Sequence, residues 1–223
     1  MVKTKGATTQ GYKLWMALTG LFLCVFLVIH VLGNLQLFLP AEEARIQFNW
    51  YSQLLSNNLI IKIISYVLYL SIIAHVVYAI ILSLKKQKAN GVKYAYDQRG
   101  AVSPWYSRNM GVLGTIIFLF LIVHLKDFWY QYKFTELPLD AHGQKDLYTI
   151  VVSAYQELWY VMLYEVGLLA LGFHLLHGFF SAIRTLGLYH PKYVKLAKWV
   201  AWVYTLAITL GFMAMPIYVY LSH

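Results

Sequence analysis

The sequence predicts an all-α integral membrane protein built as a bundle of five transmembrane helices, and three observations predict it. Of its 223 residues, 60% are hydrophobic and only 12% charged, with a mean hydropathy of +0.58, a balance that no soluble domain of this size carries. Five apolar stretches are each long enough to cross a hydrocarbon core roughly 30 Å thick, which takes about 20 helical residues. The charge is concentrated in the segments between them. An open sheet is excluded because lipid offers no hydrogen-bond partner for its edges.

Helix one is expected over Leu14 to Leu39, which contains no Asp, Glu, Lys or Arg. This run is too long for the h-region of a signal peptide, and no small-residue cleavage site closes it. Helix two, Ile63 to Leu84, and helix five, Trp199 to Leu221, are equally free of charge, and helix five carries Pro216 near its end. Helix three, Met110 to Tyr130, holds Lys126 and Asp127 near its end, and helix four, Leu158 to Ile183, contains Glu165. Trp50, Tyr51, Trp105, Tyr106, Trp129, Trp159 and Trp199 fall near helix ends as an aromatic belt. The longest loops, near residues 40 to 60 and 131 to 157, are expected to form short surface helices. No repeat, low-complexity tract or second domain interrupts residues 1 to 223.

Basic residues alternate sides. Lys3, Lys5 and Lys13 precede helix one; Lys85, Lys86, Lys88, Lys93, Arg99 and Arg108 lie between helices two and three; Arg184, Lys192, Lys195 and Lys198 lie between four and five. Only Asp97 opposes them there, whereas the other loops mix Arg45, Lys133 and Lys145 with Glu42, Glu43, Glu136, Asp140, Asp146 and Glu157. The positive-inside rule then puts the amino terminus in the cytoplasm and the carboxyl terminus outside. The net charge of +9 is therefore a membrane-rim feature that meets anionic lipid, not a nucleic-acid signature, and it offers a docking face to a cytoplasmic partner. The single cysteine, Cys24, rules out disulfides within the chain and cysteine-ligated iron–sulfur clusters, and it reads as helix packing.

Of eight histidines, His142 and His190 fall in loops and His223 ends the chain. The other five, His30, His75, His124, His174 and His177, lie inside the apolar spans, where an ionisable side chain is costly and faces the bundle interior. One such histidine alone reads as a structural group; four helices each bringing at least one read as a ligand set. At 1.5 Å per residue from the basic end, His30 lies roughly 24 Å deep and His124 roughly 21 Å, while His75 lies roughly 13 Å and His177 roughly 9 Å deep. Neutral imidazole is a good axial ligand for iron, so two pairs at two depths predict two stacked b-type haems and an electron path across most of the membrane. His174, at roughly 13 Å, matches His75 equally well and shares a helix face with His177, so spacing leaves the fourth ligand open. Gly33, Gly111, Gly114, Gly167, Gly172 and Gly178 provide small positions that admit either a flat porphyrin or close helix packing.

The order of these motifs resembles one family along nearly the whole chain. Helix one reads T-G-L-F-L-C-V-F-L-V-I-H from Thr19 to His30, helix two I-A-H at Ile73 to His75, and helix three V-H-L at Val123 to Leu125. Helix four has His177 and Gly178, followed by Arg184 seven positions after the histidine. This is similar to the diheme cytochrome b membrane anchor of succinate:quinone oxidoreductases, the group of succinate dehydrogenases and quinol:fumarate reductases. The resemblance implies that His30 and His124 hold the outer haem, that His75 and His177 hold the inner one, and that Arg184 pairs with a haem propionate. It implies electron transfer between membrane quinone, menaquinone by expectation, and an iron–sulfur subunit in a bacterial cytoplasmic membrane. FAD and the clusters would then reside on a cytoplasmic flavoprotein and an iron–sulfur partner, in keeping with one cysteine and no nucleotide-binding glycine loop here.

Some family members carry a Glu two residues before the fourth ligand, where this chain has Leu175. Glu165 is the one carboxylate deep in a span, a proton handler or a snorkelling side chain. Asn34, Gln36, Asn49 and Gln53, near the outer end of helices one and two, are candidate hydrogen-bond donors to a quinone, but surface-loop polarity accounts for them better. The competing readings are a haem b subunit of another quinone-linked dehydrogenase and a haem-free, proton-coupled transporter.

Overall fold

The computed structural model describes residues 9–90 and 103–222; Lys3, Lys5, Lys93, Asp97, Arg99 and His223 lie outside the described residues. The described chain is almost entirely helical, and five of its helices are long and apolar enough to cross a membrane. In lipid every backbone N–H and C=O must find a partner within its own segment, which leaves helices as the solution for these runs. The first, α1, spans Thr9–Asn34 and tightens into a 3-10 turn over Leu35–Phe38. Pro40 then opens α2, Ala41–Asn57, whose first turn carries Glu42 and Glu43 where the helix dipole favours negative charge. Asn58 ends α2 and caps α3, Leu59–Asn90, its Oδ1 accepting from the Ile60 and Ile61 amides at 2.9 and 3.1 Å.

A single turn, α4 (Trp105–Arg108), leads into α5, Met110–His124. The third crossing continues as a π-helical segment, Leu125–Tyr130, and closes with α6, Gln131–Phe134. The loop that follows leads to α7, Leu147–Tyr155, then α8, Leu158–Thr185, and α9, Val194–Ser222. Gly187, at φ +74°, stops α8: the Leu188 amide reaches back to the Ile183 carbonyl at 3.0 Å and the Gly187 amide to Arg184 at 3.2 Å, a turn that a Cβ would strain.

The core centres on α8, which packs against α9, α5 and α1, whereas α3 leans chiefly on α1. Close approach is built in. A Cβ on Gly167 would sit 2.7 Å from the Phe120 ring, and one on Gly172 would sit 2.9 Å from Thr209 Oγ1. Exposed apolar side chains such as Val25, Ile29, Leu70, Ile73 and Leu119 cover the outside of the bundle, the surface that lipid solvates. Only 6% of the apolar stretches of α3 and α5 is buried, against 39% in α8 and α9, so α3 and α5 turn most of their length to the outside of the bundle.

Both loops expected to form short surface helices do so in part, yet α2 and α7 are packed rather than lying loosely on the surface. Tyr148, Val151 and Tyr155 of α7 are buried in the core. Asn49, expected to contribute loop polarity, is fully buried and ties α2 to the segment before α7. Its amide donates to Asp146 Oδ1 at 3.0 Å and Asp140 Oδ2 at 3.1 Å, and its carbonyl accepts from the Tyr148 amide at 3.0 Å. Arg45 adds two bonds to Asp146 Oδ2, at 2.6 and 3.0 Å. Burial would push the Asp146 carboxyl up, but the bonds from Asn49, Arg45 and Thr149 outweigh it and hold the group below the usual carboxylate value.

Candidate functional site

The five intramembrane histidines converge in two places. Near the α2 end of the bundle, His30 on α1 faces His124 at the last turn of α5, with ring centroids 5.8 Å apart and planes at 87°. Phe26 stacks on His30 at 5.2 Å and Phe212 of α9 closes its other side at 5.4 Å. Phe120 and Phe128 flank His124 at 5.8 and 5.5 Å. Residues four apart drift by about +40° on an α-helix and back by about 30° on a π-helix of roughly 4.4 residues per turn. The π segment therefore returns Phe128 to the face that Phe120 and His124 occupy, and it turns Asp127 toward α8.

That turn completes a hydrogen-bonded chain. His124 Nδ1 lies 3.1 Å from the Tyr164 hydroxyl, Tyr164 lies 3.3 Å from the Tyr160 hydroxyl, and Tyr160 donates to Asp127 Oδ2 at 3.1 Å. A carboxylate only accepts, so the hydrogen of Tyr160 goes to Asp127 and the hydrogen between the tyrosines comes from Tyr164. In that order Tyr164 accepts from His124, which assigns the His124 proton to Nδ1 and leaves Nε2 its lone pair. Asp127 also pairs with the exposed Lys126 at 3.1 Å, which takes the chain to the bundle surface.

The second convergence lies nearer the amino-terminal end. His75 on α3 faces His174 on α8, with ring centroids 6.2 Å apart and planes at 59°. Here the tautomer follows from Thr19. Its hydroxyl gives its one hydrogen to the Trp15 carbonyl at 2.8 Å, so at 3.2 Å from His75 Nδ1 it can only accept. His75 likewise carries its proton on Nδ1 and presents Nε2. A Cβ on Gly20 would lie 3.2 Å from His75 Cε1, and one on Gly114 would lie 3.9 Å from His174 Cε1, so both rings rest against small positions. His174 Nδ1 is buried with no hydrogen-bond partner.

His177, which the resemblance named as the fourth ligand, is half-buried and has no ring contact with His75 among the described residues. It lies on the Arg184 side of His174, within electrostatic reach of Arg184 and Lys86. Arg184 itself stacks over the Tyr189 ring at 5.0 Å. Of the glycines, 33, 167 and 172 serve packing against Tyr51, Phe120 and Thr209, whereas Gly111 and Gly178 have open space where a Cβ would stand.

Both pairs fit the axial ligation of a haem iron. Two imidazoles bound through nitrogen at about 2 Å on opposite sides of one metal place their centroids roughly 6 Å apart. The observed 5.8 and 6.2 Å match this, although packed aromatic pairs span similar distances. The tautomers add what packing alone does not require. A metal-bound histidine commonly gives its second N–H to a neighbouring acceptor, as His75 and His124 do. Among the described residues no group of three or more His, Cys, Asp or Glu gathers around a bare-ion site; the donor sets here are pairs.

The remaining candidates separate clearly. Asn34 donates to the His30 carbonyl at 2.8 Å, Gln36 Oε1 is buried without a partner, and Gln53 lines a polar pocket at the α2 end. Glu165 is partly buried and one of its carboxyl oxygens is unpartnered. Cys24 is a packed core residue, His142 is exposed, and His190 accepts from the Lys192 amide in its loop. Thr19, Asp127, Tyr160 and Tyr164 are site residues that the sequence did not single out for this role. Compared with protein-family models, curated proteins and solved structures, the chain has no match.

Proposed function

We propose that this chain is a diheme cytochrome b membrane anchor that passes electrons between membrane quinone and a docked iron–sulfur subunit, as in succinate:quinone oxidoreductases. The observation that carries the reading is two facing histidine pairs at two depths, with a hydroxyl beside Nδ1 of His75 and of His124 that would leave Nε2 to a metal. His30 and His124 hold the outer haem; His75 and His174 hold the inner one. His174 replaces His177 as fourth ligand because it faces His75, while His177 and Arg184 lie at the inner end, where the positive charge of Arg184 would pair with a propionate. Bound haem supplies a one-electron carrier that cycles between ferric and ferrous iron.

The protein's part is to fix the rings and keep water away. Thr19 and Tyr164 hold the ligand tautomers, and Phe26, Phe120, Phe128 and Phe212 surround the outer pair with apolar surface. The basic face, with Lys85, Lys86 and Arg184, lies in the bacterial cytoplasm and receives the iron–sulfur and flavin-bearing subunits. The quinone, menaquinone on the resemblance, joins the chain from the lipid phase.

Pyridine-haem quantitation of the purified chain tests the assignment, with each histidine replaced by alanine in turn. Two b haems per chain are expected, falling to one in His30→Ala, His75→Ala, His124→Ala and His174→Ala and unchanged in His177→Ala. A colourless wild type overturns the haem reading and favours a proton-coupled transporter. Haem loss in His177→Ala with none in His174→Ala returns the fourth ligand to His177. Haems that succinate cannot reduce in native membranes, where a donor of another quinone-linked dehydrogenase does, assign the chain to that enzyme instead.

A further inference from the structure

The loops at the α2 end are mostly acidic, yet three lysines gather there in one place. Lys62 lies in the first turn of α3, Lys133 in α6, and Lys145 in the loop before α7. Lys133 and Lys145 bracket the Tyr132 ring, with Nζ 5.7 and 5.4 Å from its centroid. Lys133 Nζ donates to Ser56 Oγ and Lys145 Nζ to the Tyr132 carbonyl, both at 2.9 Å. Lys62 and Lys145 are close enough to Lys133 to repel its charge. None of the three forms an ion pair among the described residues. Like charges held together this way raise the local potential until an anion offsets it.

Two concavities, of about 350 and 370 Å³, meet at Gln53 and Asn57. One is lined by Ser56, Lys133 and Lys145, and the other by Trp50, Leu54 and Gln144. The position sets the ligand class. Lys62 is at the start of a membrane span, and the apolar side chains of Leu59, Ile63 and Phe134 are exposed on the helices that carry Lys62 and Lys133. An anion that also presents acyl chains to such side chains is a phospholipid at headgroup level.

We infer that this pocket binds an anionic phospholipid of the phosphatidylglycerol type. Its phosphate sits between Lys133 and Lys145, with the charge of Lys62 nearby. A phosphatidylethanolamine headgroup would bring its ammonium against three lysines. The inference does not depend on haem.

Native mass spectrometry of the full chain in detergent tests it, with phosphatidylglycerol or phosphatidylethanolamine of matched acyl chains added. Phosphatidylglycerol is expected to bind at least about tenfold more tightly, because both lipids bring a phosphate but only phosphatidylethanolamine brings an ammonium against the lysines; each lysine near the phosphate contributes roughly fivefold, about 1 kcal/mol, to either lipid. By the same figure Lys133→Gln with Lys145→Gln should weaken it roughly 30-fold, and Lys145→Gln alone roughly fivefold, which covers a double variant that fails to fold. Lys126→Gln, an outer lysine away from the pocket, should leave binding unchanged. Equal binding of the two lipids, an equal loss in Lys126→Gln, or no loss in Lys145→Gln overturns the site. Displacement of the lipid by millimolar inorganic phosphate makes it a soluble-anion site and overturns the lipid assignment.

Discussion

On the proposed diheme assignment, replacing Tyr164 by Phe should raise the midpoint potential of the haem that His30 and His124 would hold and leave the other haem where it is. The phenyl ring keeps its packing against Phe120 at 4.9 Å, Tyr155 at 5.1 Å and Phe128 at 6.2 Å, so the loss is the hydroxyl. That hydroxyl accepts from His124 Nδ1 and passes the bond through Tyr160 to the Asp127 carboxylate. A chain that ends on an anion draws the imidazole proton outward and enriches the ring in electrons, which favours ferric over ferrous iron. A hydrogen bond to a charged group contributes about 1.5–3 kcal/mol, and relay through two neutral hydroxyls lowers the differential between oxidation states to about 1–1.5 kcal/mol. At 59 mV per tenfold for one electron, this corresponds to roughly 40–65 mV. Potentiometric titration followed optically and by electron paramagnetic resonance resolves the two haems. Asp127→Asn should move the same haem in the same direction by about half, and Thr19→Val should move only the haem at His75. A shift below roughly 10 mV in Tyr164→Phe, or one that appears in the inner haem, refutes the reasoning.

The scaffold gives three further expectations. Gly167→Leu forces a side chain into the Phe120 ring, where a Cβ alone comes within 2.7 Å, and should cost about 1–3 kcal/mol in thermal unfolding in detergent, whereas Gly178→Ala, with open space at its Cβ, should not. Asn49→Leu strips partners from Asp140, Asp146 and the Tyr148 amide and should cost about 2–4 kcal/mol in the same assay. The folded Asp146 carboxyl lies below its usual value, so its contribution is present above the unfolded value of about 3.9 and is lost as pH falls through the folded value. Asp146→Asn should therefore be less stable than the wild type at neutral pH, and the difference should shrink in acid; a constant difference across an acid titration of the unfolding midpoint would contradict this.

The five crossings were legible because each depends on a run of about 20 residues that lipid forces into one conformation. Their ends shifted for local reasons: Pro40 separates α1 from a packed α2, and Asn58 caps α3 several residues before the apolar run at Ile63. The loop helices were harder to read. Asn49 and Asp146 look like ordinary loop polarity in sequence, and only their meeting across about 100 residues turns them into a buried clamp. The lysine pocket was hidden in the same way, because Lys62, Lys133 and Lys145 belong to three separate segments.

The choice between His174 and His177 shows where one-dimensional reading stops. Three residues along a helix rotate a side chain by about 300°, so the two rings point only about 60° apart and depth along the axis cannot separate them. What separates them is the approach of α3, which brings His75 against one ring and not the other. The tautomer of His75 has a similar origin in two steps. That Thr19 spends its hydrogen on the carbonyl four residues earlier is a local habit of helical threonine, readable in principle from its place in α1. That the lone pair left over then meets His75 depends on the packing of α1 on α3. A threonine unremarkable as a helix residue becomes a constraint on which imidazole nitrogen is free for a metal, and its replacement by valine, equal in shape, isolates that constraint from packing.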